Sequence, residues 1–195
     1  MALPHDLDQF FKQRIFTPLS MNNTFFNIPA DRLGDVATVY RRTEQGLAKQ
    51  NPPPPRSPGS EFFSGAGGLT GSAEDYLQFC QMLLNGGVYQ HNRVVKRVTL
   101  AEFTAPQALA KNTRTLGWVA HSENGFSGHY FSAHSFGHTG FTGTSLWIDP
   151  DRDLFVVLLT NRVNPTRENM KIAQVRPAVH DAILKALGLA TEAAH

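Results

Sequence analysis

Cysteine is almost absent from this sequence, since Cys80 is the only one in 195 residues. A single cysteine excludes an intrachain disulfide and any Cys-x-x-Cys metal site. Because Cys80 lies in the apolar run DYLQFCQMLL, we expect a buried and unreactive thiol. Long hydrophobic runs are missing too, and none approaches the roughly 18 apolar residues that span a bilayer. The sequence therefore predicts no membrane span.

The chain also lacks an excess of charge of either sign. It has 18 Lys and Arg against 16 Asp and Glu, a formal net charge of +2, and its basic residues do not cluster. Nucleic-acid binding needs a basic patch, so we expect no nucleic-acid partner. The first residues, MALPHDLDQFFKQR, lack the basic-then-apolar order of a signal peptide. We expect a periplasmic or secreted location only if the complete protein carries an upstream signal, and a cytoplasmic one otherwise.

What is present suits one domain over residues 1–195, because 41% of the residues are hydrophobic. Residues 1–110 are predicted to be mostly helix and loop. Apolar spacing predicts a short helix over residues 6–15, ended by Pro18. Four consecutive prolines cannot enter a helix or a central strand, so residues 51–58 are predicted to form an extended surface loop.

Two further helices are predicted in this half of the chain. The segment SAEDYLQFCQMLLNGG has an apolar stripe, a good N-cap in Ser72 and a glycine pair at its end. A shorter helix is predicted over residues 99–103, with Thr99 as its cap.

Residues 111–195 are predicted to be antiparallel strands followed by a helix. Runs rich in aromatic and branched residues predict strands over residues 116–121, 130–139, 144–148 and 154–160. The turn DPDRD predicts a hairpin between the last two strands, and apolar spacing predicts a helix over residues 172–187. The fold class is therefore α+β: an antiparallel sheet with the C-terminal helix packed on it, plus a helical region. A sheet with so few strands and the apolar run VVLL at its centre is expected to pair with further strands.

The stretch SFGHTGFTG joins three glycines to one titratable ring, His138, and permits four interpretations. The glycines could form bulges or tight turns beside a surface histidine. A zinc site is a second interpretation, although the spacing matches no chelating pattern; its ligands would be His121, His129, His134 and His138. A phosphate loop is a third, but neither GxGxxG nor GxxxxGK occurs. We expect no metal and no cofactor.

The fourth interpretation is an active-site edge strand. A glycine in a strand lets a substrate backbone approach, and the next backbone N–H can point at a developing oxyanion. The ring of His138, two residues before Gly140, could then polarise or protonate the leaving side.

Four segments resemble the serine β-lactamase and penicillin-binding-protein superfamily, in its class C-like, DD-peptidase and serine-esterase branch. GHTG resembles the family's K/H-T-G element, and FFKQRIFTPLSMNNTFF its segment of the form I-F-x-P-L-G-M-x-x-T-x-F. SGAGGLTGSAEDYLQFCQMLLNGG resembles its A-G-G-L-x-S-x-x-D-L loop and helix, and LLTNRVNPTREN the stretch after its last strand. The resemblance implies the C-terminal half of the β-lactamase/transpeptidase-like fold.

The resemblance also implies roles for six residues. His138, Thr139 and Gly140 would form the K/H-T-G motif, with His138 in place of the lysine of most β-lactamases. The residue after the motif, Phe141, would offer its backbone N–H to the oxyanion. The far side of the cleft, near a substrate carboxylate, would be lined by Asn164 and Arg167.

The sequence departs from the family in two motifs. No serine has a lysine three residues later, and no tyrosine has an asparagine two residues later, so the S-x-x-K nucleophile and the Y-x-N tyrosine are absent. The resemblance therefore implies the C-terminal part of a serine hydrolase that acts by acyl transfer on a β-lactam, a D-amino-acid peptide or an ester. We expect this chain to be inactive alone, and to bind a complementary N-terminal chain or to self-associate. The alternative is a non-catalytic binding module of the same fold, with PPPPRSP as a peptide ligand.

Overall fold

The structure is a computed structural model that describes residues 7–50, 63–106, 113–123 and 125–190. The predicted proline-rich loop over residues 51–58 lies outside the described residues. Within the described ranges no helix is both long and apolar enough to cross a membrane.

The chain begins with a helical segment that is longer than predicted. Helix α1 (Leu7–Phe11) continues through a π-helical turn into the short helix α2 (Thr17–Leu19). The expectation that Pro18 ends the helix is wrong, because Pro18 occupies the first turn of α2, where a missing N–H costs no hydrogen bond. The helix ends instead at Ser20, which has a left-handed φ of 58°.

A β-hairpin in the first half of the chain was not anticipated from the sequence. A 3-10 helix over Ala30–Asp35 leads into β1 (Val39–Thr43), which pairs antiparallel with β2 (Gly46–Gln50). Most side chains of this hairpin are exposed, so the alternation of apolar and polar residues that predicts a strand is weak here.

Helix α3 (Ala73–Leu84) follows the prediction closely. The Asp75 N–H donates to Oγ of Ser72 at 3.2 Å, which confirms the N-cap. A small hairpin of β3 (Val88–Tyr89) and β4 (Asn92–Arg93) comes next.

Helix α4 (Arg97–Thr104) begins two residues earlier than predicted. Its N-cap position is Lys96, which makes no side-chain cap hydrogen bond. The expectation that Thr99 caps this helix is therefore wrong, because Thr99 lies inside the first turn.

The main sheet has four antiparallel strands in the order β5-β6-β7-β8. They are β5 (Val119–Ala120), β6 (Phe136–Thr139), β7 (Ser145–Asp149) and β8 (Leu154–Leu158). The predicted hairpin between the last two is confirmed, with Asp149 opposite Leu154. Among the described residues no strand pairs with the outer edge of β8.

The strand predicted over residues 130–139 is only partly present, because β6 begins at Phe136. The preceding residues follow a loop that is held by side-chain contacts. Asp149 is fully buried at the end of β7 and accepts hydrogen bonds from the N–H of Ser132 at 2.9 Å and from its hydroxyl at 2.5 Å. These side-chain hydrogen bonds hold the segment in place of the strand-to-strand backbone hydrogen bonds that were predicted.

Each face of the sheet carries one hydrophobic cluster. The first cluster lies between the sheet and helix α3, and includes Leu19, Cys80, Leu83, Phe136 and Ile148. The second lies under helix α5 (Ile172–Ala186) and consists of Phe131, Trp147, Val156 and Leu184. The C-terminal helix thus packs on the sheet as expected, and the α+β class is confirmed.

Candidate active site

The His-Thr-Gly motif lies at the end of β6, where the strand passes into a turn. His138 pairs with Leu146 and Thr139 with Ser145 across to β7. One residue earlier, a Cβ on Gly137 would collide with the Trp147 ring and the Leu146 carbonyl. The absence of a side chain at Gly137 is therefore required by the packing of Trp147.

The turn that follows is a tight loop over residues 140–144. The Gly140 N–H donates to the Thr144 carbonyl at 2.8 Å, and the Gly143 N–H donates to the Gly140 carbonyl at 3.2 Å. Gly143 has a φ of +113°, which disfavours any other residue there, and its carbonyl accepts from the hydroxyl of Thr160 at 2.8 Å. These contacts make the turn rigid and fix its direction.

Phe141 stands at the outer side of this turn, with 64% of its surface exposed. In the part of the chain that the structure describes, no acceptor lies within hydrogen-bonding distance of its backbone N–H. A rigid turn with an unused N–H at its tip can donate to an external oxygen atom.

A cavity of about 300 Å³ opens beside the motif. His138, Thr139 and Gly140 form one of its sides, and the aromatic rings of Tyr76 and Trp118 are among the residues on the others. Burial raises the pKa of Tyr76 above its ordinary value, and the nearby Cys80 adds to the effect. Burial raises the pKa of Cys80 to about 12, so that thiol is unreactive as expected.

The hydrogen bonds of His138 define its tautomer. Its Nδ1 lies 2.9 Å from the Thr139 carbonyl, and its Nε2 lies 3.2 Å from a guanidinium nitrogen of Arg114. A carbonyl oxygen can only accept, and a guanidinium can only donate. The ring therefore carries its proton on Nδ1 and presents Nε2 as an acceptor.

Asn164 and Arg167 lie in the loop after β8, and neither lines the cavity beside His138. The Asn164 N–H donates to the side-chain oxygen of Asn161 at 3.1 Å. The guanidinium of Arg162 donates to the Arg167 carbonyl at 3.0 Å and to the Phe141 carbonyl at 2.8 Å. Arg162 thus joins this loop to the turn that carries Phe141.

Arg176 holds the same turn from helix α5. One of its guanidinium nitrogens donates to the Gly140 carbonyl at 2.6 Å and to the Thr144 carbonyl at 2.9 Å, and only 5% of the residue is exposed. Burial lowers the pKa of Arg176, and the positive charge of Arg162 lowers it further. Two arginines, Arg162 and Arg176, therefore hold the turn through its backbone carbonyls.

Sequence reasoning missed the three arginines that contact the motif. Arg162 lies inside the segment LLTNRVNPTREN, which could have drawn attention to it. Arg114 stands two residues before the LGW run, and Arg176 occupies an ordinary helical position. No local pattern distinguishes those two residues, because their contacts come from distant parts of the chain.

The four histidines considered as zinc ligands lie in separate contacts. The Nδ1 atom of His121 is 2.9 Å from Oγ of Ser127, and the Nδ1 atoms of His129 and His134 pair with Asp181 and Asp151. Burial lowers the pKa of His121. Among the described residues no group of three or more His, Cys, Asp or Glu side chains is placed to hold a metal ion.

Comparison with known proteins shows the family of this chain. The Beta-lactamase family matches the chain over residues 2–180. An N-acetylmuramyl-L-alanine amidase of Bacillus subtilis (strain 168) is 29% identical in an alignment of 182 positions, which covers 80% of this chain and 39% of the relative. A protein of Salmonella gallinarum (strain 287/91 / NCTC 13346) named "Putative D-alanyl-D-alanine carboxypeptidase" is 33% identical over 112 residues, which are 56% of this chain and 26% of the relative.

The fold has matches among solved structures as well. A mutant of simvastatin synthase from Aspergillus terreus superposes with a TM-score of 0.70 at 18% identity, over 94% of this chain and 52% of that one. The chain therefore spans about half of that structure, and less of the two curated relatives. With the family match over most of its length and this fold, the chain belongs to the Beta-lactamase family.

Proposed function

We propose that this chain is part of a serine hydrolase that acts by acyl transfer on a β-lactam, a D-amino-acid peptide or an ester. The observation that carries the proposal is the position of the motif in a chain of this family. His138, Thr139 and Gly140 line one cavity, directly before a rigid turn whose Phe141 N–H donates to no described residue. The two relatives are named as an amidase and a carboxypeptidase, and both names denote hydrolysis of an amide bond.

In this proposal the residues of the turn stabilise the tetrahedral intermediate. The Phe141 N–H donates to the oxyanion, which is worth about 3–4 kcal/mol of transition-state stabilisation for one donor. His138 and Thr139 orient the substrate on the side of β6. Asn164 and Arg167 bind its far end, on the loop that Arg162 joins to the turn.

We propose that the nucleophile comes from outside this sequence. The sequence has neither S-x-x-K nor Y-x-N. Ser127, Ser135 and Ser145 are at most 4% exposed, so a substrate cannot reach them. We therefore propose that a second segment or chain supplies the serine, and that this chain alone is inactive. The outer edge of β8, with which no described strand pairs, is a suitable place for such a segment to pair.

Covalent labelling tests the proposal. A fluorescent penicillin and a fluorophosphonate are added to this chain alone and to the chain co-expressed with the remaining part of a full-length relative. We expect no labelling of the chain alone and labelling of a serine of the added part in the complex.

Two outcomes would contradict the proposal. A label on a serine of this chain alone would show that it contains the nucleophile. A stable complex that takes up neither label would instead favour a non-catalytic binding module with the same fold, for which both nitrogens of His138 are already engaged within the chain.

A further inference from the structure

We propose that Arg114 is a positioning residue for His138 and the source of positive charge on that side of the cavity. The inference rests on the proposed function for its catalytic meaning, but its structural part can be tested without activity. Its basis is the 3.2 Å contact between the Arg114 guanidinium and Nε2 of His138.

The contact selects one form of the ring. Nδ1 faces the Thr139 carbonyl at 2.9 Å, so that atom carries the proton. Nε2 faces a group that can only donate, so the contact exists only when Nε2 has no proton. His138 is thus held as a neutral acceptor, and its Nε2 in this form has no proton to give to a leaving group.

The backbone brings Arg114 to this place through two neighbouring segments. Arg114 bridges to Val119, and Val119 in turn pairs with Gly137 of β6, next to His138. The segment is closed by hydrogen bonds from the Thr115 N–H to the Trp118 carbonyl at 3.0 Å and from the Trp118 N–H to the Thr115 hydroxyl at 3.2 Å. Arg114 is therefore anchored to the edge of the sheet that carries the motif.

Among the described residues, the arginine that contacts His138 is Arg114. The guanidiniums of Arg162 and Arg176 donate instead to carbonyls of the turn after β6. The ring of His138 is neutral in this geometry. Within the described residues, the positive charge in contact with His138 is therefore that of Arg114, where it favours negative charge developing on a bound substrate.

Imidazole ¹⁵N spectroscopy of the whole chain tests the first half of the proposal. Spectra are recorded at a pH where the histidine rings are neutral, and the His138 signals are assigned by their loss in His138→Gln. We expect the wild-type ring to carry its proton on Nδ1 alone. Arg114→Ala should give a mixture of the two tautomers, whereas Arg114→Lys and Arg114→Gln, which keep a donor, should retain the Nδ1–H form.

Arg41→Ala is the matched control, because Arg41 is an exposed arginine on β1. It should leave the His138 signals unchanged. A wild-type ring protonated on Nε2, or an unchanged tautomer in Arg114→Ala, would overturn the proposal. If the melting curve shows that Arg114→Ala does not fold, Arg114→Gln is used instead. Loss of the Nδ1–H signal of His138 in Arg114→Gln would also overturn the role of residue 114 as a donor to His138.

Acylation by the complemented enzyme tests the second half. Arg114→Gln retains the donor but removes the charge, so we expect acylation to fall by about 10–100-fold while the tautomer is kept. Full activity of Arg114→Gln would overturn the role of the charge. If the wild-type complex shows no acylation, the proposed function fails, but the tautomer result still decides whether Arg114 positions His138.

Discussion

Arg162 contacts Phe141 through a hydrogen bond and a cation–π contact, although the two residues are 21 positions apart in the sequence. Its Nε donates to the Phe141 carbonyl at 2.8 Å, and its guanidinium carbon lies 4.5 Å from the centre of the Phe141 ring. The same side chain donates to the Arg167 carbonyl. The loop after β8 and the turn after β6 are therefore held together by one side chain.

Replacing Arg162 by alanine should loosen this junction. The change removes a charged hydrogen bond and a cation–π contact at a partly exposed position, so we expect the free energy of unfolding to fall by about 1–2 kcal/mol. Urea unfolding measures the loss. Arg167→Ala is the control, because Arg167 takes part through its backbone carbonyl, and it should change stability by less than about 0.5 kcal/mol. Equal stability of Arg162→Ala and wild type would contradict the role of this junction.

Replacing Arg176 by methionine should destabilise the chain more strongly. The two carbonyls it serves, those of Gly140 and Thr144, would lose their buried donor, so we expect a loss of about 2–4 kcal/mol. Gln174→Met, at an exposed position of the same helix, controls for the change of side chain. If Arg176→Met melts at the same temperature as Gln174→Met, Arg176 does not stabilise the turn.

Acidification should destabilise the protein through His180. This ring is fully buried between aromatic neighbours, its Nδ1 contacts the Ser127 carbonyl at 3.1 Å, and no described residue bonds its Nε2. Burial lowers its pKa below 6.5 in the folded state. Between that lowered pKa and 6.5 the unfolded chain binds a proton that the folded chain does not. The free energy of unfolding therefore falls as the pH falls through this window, by at most about 1.4 kcal/mol per pH unit for one ring.

Denaturant unfolding between pH 7.5 and 5 measures this dependence. His180→Asn keeps a donor toward the Ser127 carbonyl but cannot titrate, so its stability should change less with pH than that of the wild type. His134→Ala, which removes an exposed ring, is the comparison. If His180→Asn shows the wild-type pH dependence, the buried ring is not its cause.

Substitution of His138 separates a catalytic role from a structural one. Because the side chain is exposed, His138→Ala should leave the melting temperature nearly unchanged. It should lower acylation by the complemented enzyme by about 100-fold, because the proposed role of His138 is to orient the substrate. His138→Lys should retain part of the activity, since lysine stands at this position in most relatives that the motif resembles. An ester or cephalosporin reporter and a melting curve for each variant provide the test, and equal acylation by wild type and His138→Ala would disprove the catalytic role.

Self-association is expected at the outer edge of β8. No strand of the described residues pairs with this edge, and Leu159 at its end is 43% exposed. The backbone groups of such an edge pair readily with another chain. Light scattering should show dimers or larger species at high concentration. Leu159→Lys should reduce them, whereas Leu47→Lys, at an exposed leucine of the β1–β2 hairpin, should not. A clean monomer of the wild type at high concentration would contradict the expectation.

Several elements could be predicted because their signals are local in the sequence. The Ser72 cap, the turn at Asp149 and the apolar stripe of the C-terminal helix each depend on residues a few positions apart, and the structure confirms all three. The His-Thr-Gly motif was found in the same way, because its glycines and hydroxyl residues stand out from their surroundings.

The contacts of those residues depend on long-range packing. Trp147 packs where a side chain on Gly137 would lie, and the guanidinium of Arg114 lies 3.2 Å from Nε2 of His138. Arg176 comes from a helix 36 residues away to close the turn. Hydrogen bonds and ring packing of this kind join segments that are distant in the chain, so no local spacing can specify them.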